Sequence, residues 1–63
     1  MIMIRVSSSA IAAIGYEGGT LAVAFHNSGL YYHHGVPYSA FEGLLRALSK
    51  GAYYNAYIRG RYR

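Results

Sequence analysis

The chain has no cysteine, no aspartate, a single proline and only two acidic residues, Glu17 and Glu42. Without cysteine there is no disulfide staple and no thiolate metal site, a composition that fits the cytoplasm. Those two glutamates fall in a turn and on a helix, which does not make them a pair for general acid and base work. A serine nucleophile would need a base and an orienting group, which Ser7, Ser8 and Ser9 with three histidines do not specify. No enzyme is expected. His33 and His34 are neighbours, and on a strand neighbours point to opposite faces, so no metal site and no cofactor are expected either. Long apolar runs are also missing. The best, Ala10 to Ile14 and Leu21 to Phe25, fall far short of the roughly 20 residues of a membrane span. Met1 to Ile4 precede Arg5 rather than follow it, which is not the order of a signal peptide, so an unexported protein is expected.

Charge as a whole is scarce, at 13% of residues, against about 25% in an average domain. What charge there is collects at one end. Arg46, Lys50, Arg59, Arg61 and Arg63 hold five of the six positive charges, and the net is +4. Tyrosine is abundant, with eight in 63 residues, and four of them (Tyr53, Tyr54, Tyr57 and Tyr62) are interleaved with these basic residues. A chain this short forms one domain, residues 1–63, and buries only about 60% of its unfolded surface.

Turn signals divide the chain. Gly18-Gly19 and Asn27-Ser28-Gly29 suit hairpin loops. Between them Leu21, Val23 and Phe25 alternate with Ala22 and Ala24, which reads as a half-buried strand. Ile11 to Tyr16 reads as its upstream partner, although the alanines also allow a helix. Leu30 to His34 reads as a third strand, with Leu30, Tyr32 and His34 on one face and Tyr31 and His33 on the other. Met1 to Val6 supplies a candidate fourth, edge strand. Pro37 stops the sheet and suits the first turn of a helix, while Ser39 and Glu42 have capping-box spacing, so two starts are open. Phe41, Leu44, Leu45 and Leu48 form an apolar helical stripe. Gly43 within it costs about 1 kcal/mol relative to alanine, which points to close backbone packing. Ser49 reads as the N-cap of a second helix running to about Ile58, with Tyr54, Tyr57 and Ile58 inward and Gly60 as its stop. The expected architecture is α+β: a small antiparallel meander of three or four strands, with two C-terminal helices on its Leu21–Val23–Phe25 face.

Several motifs along the chain carry a resemblance. These are Val6-Ser-Ser-Ser9, Ile14-Gly15-Tyr16, Thr20-Leu21-x-Val23-x-Phe25 and Gly29-Leu-Tyr31. Val36-Pro37, Leu44-Leu45, Ser49-Lys50-Gly51, Tyr53-Tyr54-Asn55 and Ile58-Arg59-Gly60 complete the set. Together they resemble the KTSC domain, a family of small domains that stand alone in bacterial and phage proteins and close some lysyl-tRNA synthetases. The chain departs from the family pattern where His33 replaces the second tyrosine of Tyr-x-Tyr, and where Gly35 replaces an acidic residue before Val36-Pro37. The resemblance implies RNA binding, through the synthetase context.

Two functions compete. A basic cluster can hold phosphates and tyrosine faces can stack on unpaired bases, so the first is a module for RNA or single-stranded nucleic acid. Its candidate residues are Lys50, Arg59 and Arg61 for phosphates, and Tyr31 and Tyr53 for bases. Whether Tyr31 and His33 lie on the open or the covered sheet face turns on strand register. Asn55, a poor helix former, is expected to hydrogen-bond the turn before Pro37 rather than a ligand. The competing function is a protein-interaction module, a phage-type accessory factor or a homo-oligomer, on its weakly charged tyrosine-rich surface.

Overall fold

In the computed structural model, which describes residues 1–62, four strands are followed by two helices. Arg63, the last of the basic residues named above, lies outside the described residues. The strands are β1 (Met3–Arg5), β2 (Ile11–Glu17), β3 (Thr20–Phe25) and β4 (Gly29–His33), and the helices are α1 (Tyr38–Arg46) and α2 (Lys50–Tyr57). The strands form one antiparallel sheet in chain order, β1-β2-β3-β4. Gly18 and Gly19, at φ 55 and 82, make the two-residue turn that pairs Glu17 with Thr20.

One irregularity decides what β2 buries. Ile11 and Ile14 are three residues apart, so in a regular strand they would face opposite ways. The register slips between Ile11 and Ala13, which inserts Ala12 as a bulge. Both isoleucines therefore turn inward and are fully buried. Ser8 sets up the strand, its Oγ accepting from the backbone N–H groups of Ala10 and Ile11, both at 3.2 Å.

The core lies between the sheet and the helices. Ile11, Ile14, Leu21 and Val23 meet Val36, Phe41, Leu44, Tyr54 and Ile58. The chain between β4 and α1 crosses the β2–β3 hairpin. There the Val36 N–H donates to the Gly19 carbonyl at 2.9 Å, and the Tyr16 hydroxyl donates to the Val36 carbonyl at 2.6 Å. Tyr16 also stacks on Phe41, with ring centroids 5.3 Å apart.

The helices depart from expectation in three places. Helix α1 starts after Pro37, which is the N-cap itself, and no side chain caps it, so the Ser39–Glu42 box does not form. Its end comes early, because Ala47 is extended at ψ 135. Leu48 therefore leaves the apolar stripe and stands fully in solvent. In α2, Ser49 caps as expected, accepting from the Ala52 N–H at 3.4 Å. Tyr57, expected inward, is 55% exposed and lies against Tyr53 instead.

Candidate functional site

A cleft of about 340 Å³ opens between the β3–β4 hairpin and α2, lined by Phe25, Ser28, Tyr31, Tyr54, Asn55 and Arg59. Register explains its aromatic wall. Val23 pairs with Tyr31 and Leu21 with His33, and directly paired residues of an antiparallel sheet share a face. Tyr31 and His33 therefore lie on the helix-covered side. Since β4 is the sheet margin, the Tyr31 ring remains 48% exposed and forms the rim of the cleft. Phe25 sits between Tyr31 and Tyr54, edge to face with both, at 5.6 and 5.1 Å.

Tyr54 is buried and anchors α2 to β4. Its hydroxyl lies 2.8 Å from His33 Nε2, and His33 Nδ1 lies 3.3 Å from the Tyr62 carbonyl. A carbonyl can only accept, which assigns the proton to Nδ1 in the neutral ring. Nε2 then accepts from the Tyr54 hydroxyl. Burial pushes the Tyr54 phenol above its ordinary 10.0, while the Arg59 charge pulls it back and Tyr31 adds a smaller upward push. The guanidinium thus bears electrostatically on the cleft floor.

Asn55, on α2, and Arg59, just past its end, both line the cleft. Arg59 is held just beyond the helix, its N–H donating to the Tyr54 carbonyl at 2.8 Å before Gly60 turns the chain at φ 81. Asn55 is exposed on the cleft wall. No side-chain hydrogen bond involves it among the described residues, so the expected bond to the turn before Pro37 is not made. The residue costs the helix about 0.6 kcal/mol relative to alanine.

The residues expected to bind thus separate. Tyr31 and Arg59 share the cleft. Arg61 is exposed one residue past Gly60. Lys50 and Tyr53 lie on the other flank of α2. The Lys50 ammonium donates to the Ala47 carbonyl at 3.0 Å, closing the α1 terminus, and the Tyr53 ring covers Gly43. Phe25, Tyr54 and Asn55 were not singled out as site residues. The first two read as core, and burial does not stop a ring edge from lining a cleft. The i, i+4 spacing of Asn55 and Arg59 was the available signal. The histidines are dispersed: His26 Nε2 lies 2.9 Å from the Ser8 carbonyl and His34 Nδ1 lies 3.1 Å from Thr20 Oγ1. Among the described residues no three His, Cys, Asp or Glu side chains converge on one point. No helix among them is long and apolar enough to cross a membrane.

A KTSC domain family model matches residues 7–62. The chain belongs to the KTSC family. The crystal structure of a KTSC domain protein from Yersinia pestis superposes with a TM-score of 0.94 at 34% identity, covering 98% of this chain and 90% of that one. A protein of Tsukamurella paurometabola is 38% identical over 60 residues, covering 92% of this chain and 90% of its own length. Neither is described as a synthetase, so neither supports the synthetase context attached to the resemblance. Every cleft residue of this KTSC domain except Ser28 falls within the motifs on which the resemblance was recognised. The His33 departure is accommodated in the fold: the imidazole takes the Tyr54 hydroxyl bond beneath the cleft.

Proposed function

We propose that this KTSC domain is a non-enzymatic binding module for RNA or other single-stranded nucleic acid, with the cleft as its base-binding point. The observation that carries the reading is the pairing of a half-exposed aromatic ring, Tyr31, with a cation, Arg59, on one concave surface. An unpaired base stacks on the ring, and the guanidinium takes the adjoining phosphate. Arg61 adds positive charge beside it. Lys50 and Tyr53 serve by holding α2 against α1.

The test is fluorescence polarisation with labelled single-stranded RNA at low and moderate salt. Tyr31→Ala should cost about 1–3 kcal/mol of binding. Arg59→Ala should weaken binding and reduce the magnitude of the logarithmic salt slope by about 0.7. Arg46→Ala, an exposed cation on α1, should do neither. Absence of binding at low salt, or equal losses for Arg46→Ala and Arg59→Ala, would refute the assignment.

A second reading has its own observation. The sheet face away from the helices exposes Leu30 (48%) and Tyr32 (53%). That surface favours a protein partner or a second copy of the chain. Light scattering separates the two readings, since a monomer at high concentration argues against self-association there.

A further inference from the structure

Resting on the nucleic-acid reading of the same cleft, we infer that it accepts a single nucleotide at a time, that the preferred base is adenine, and that Asn55 reads the base edge. Three observations lead there. The first is size. At about 340 Å³ the cleft is at the lower end of small-ligand sites, enough for one nucleotide and not for a run of them. The second is the lining. Phe25, Tyr31 and Tyr54 supply aromatic surface, Arg59 supplies the one charge, and neither Glu17 nor Glu42 is present to repel a phosphate.

The third is Asn55 itself. It stands in a helix it disfavours, its side chain makes no hydrogen bond among the described residues, and it lies on the cleft wall beside the cation. Its amide offers a donor and an acceptor side by side. Adenine presents the complementary pair, the N6 amino group and N7, and is met by asparagine in a bidentate contact. The same edge of guanine presents two acceptors, O6 and N7, which suit arginine instead. Pyrimidines offer a smaller face to the Tyr31 ring. Arg59, just beyond the helix end, is left free for the phosphate.

The experiment titrates the full chain against labelled oligonucleotides about 8 residues long. The sequences are all-adenine, all-cytosine, all-uracil and alternating guanine–uracil RNA, each with the native protein and with Asn55→Ala. The expected result is a preference for adenine of about 5- to 150-fold, falling to near parity in the variant. Asn55→Ala replaces an exposed, unbonded residue by a better helix former, and circular dichroism checks that it stays folded. Equal binding of all four sequences, a preference for guanine, or an adenine preference that survives Asn55→Ala would overturn the inference and leave the broader reading standing. No binding of any sequence would defeat that reading, and this one with it. Unlabelled AMP distinguishes the source of the nucleotide. It should compete far more weakly than the adenine oligomer, and competition as strong as the oligomer's would reassign the cleft to a free nucleotide.

Discussion

Gly43 and Tyr53 set the spacing of the two helices, and a double-mutant cycle between them tests how firmly. Alanine at position 43 would gain about 1 kcal/mol in helix propensity. Its Cβ, however, would run into the Tyr53 hydroxyl oxygen and lie 2.7 Å from Cζ and 3.2 Å from Cε2. Carbon atoms settle at about 3.5–4.0 Å, so the ring must retreat by about 1 Å. The ring is partly buried and packed against Tyr57 at a centroid distance of 4.8 Å, so its retreat disturbs both helices. Overpacking of this kind costs about 1–3 kcal/mol. Gly43→Ala should thus range from neutral to about 2 kcal/mol destabilising, the net of those two terms. In a Tyr53→Ala background the obstruction is gone, and the same substitution should stabilise by about 1 kcal/mol. The coupling is therefore about 1–3 kcal/mol. Urea denaturation followed by circular dichroism measures all four corners, and each kcal/mol moves the melting temperature by about 4–8 °C in a domain of this size. Stabilisation by Gly43→Ala in both backgrounds, with coupling below about 0.5 kcal/mol, would refute the reasoning.

Gly15→Ala should be more damaging, because the neighbour is backbone. Its Cβ would stand 2.8 Å from the Ile2 carbonyl oxygen and 2.7 Å from Met3 Sδ. Lifting β1 to make room should cost about 1–3 kcal/mol in urea denaturation and break the 3.3 Å pair between the N-terminal ammonium and Glu17; wild-type stability would contradict the geometry. Tyr54 gives a pH dependence. Its folded pKa is raised above 10.0 by burial, so the fold favours the protonated phenol. The stability tied to that group is complete below the unfolded value and is lost as pH rises through the folded one. Tyr54→Phe should be less stable at neutral pH by about 1 kcal/mol, for the lost His33 bond, yet decline less steeply above pH 10. Parallel stability profiles for the two proteins in alkali would disprove the assigned cause.

Regular stretches of the fold were legible in the sequence, and local breaks in periodicity were not. Leu21, Val23 and Phe25 keep a strict alternation, and Gly18-Gly19 supplies the two positive φ values its turn demands. The Ala12 bulge shifts the phase of β2, so Ile11 and Ile14 look as if they belong to different faces although the core takes both. Leu48 continues the α1 stripe on paper, but the backbone is extended at Ala47 and the Ser49 cap begins the next helix two residues later. The site divides in the same way. Residue type identified Tyr31 and Arg59. Only the register of β4 and the docking of α2 show that those two converge while Lys50 and Tyr53 diverge. Asn55 was legible as an anomaly, but its unbonded amide becomes visible only when the turn it was expected to meet turns out to be elsewhere.

The sheet has its strands in the order in which the chain supplies them, β1-β2-β3-β4. Each of its pairings closes a short loop, so little chain entropy is lost before the next contact rewards it. Such a topology lowers the mean sequence separation of contacts, the quantity that most strongly slows two-state folding. The helices, in contrast, ask distant parts of the chain to find each other: Tyr16 meets Val36 and Phe41, and α2 docks under β4 through Tyr54 and His33. The α2–β4 contact is also the one that closes the cleft, so the packing that ties the two ends of the fold together creates its candidate binding surface.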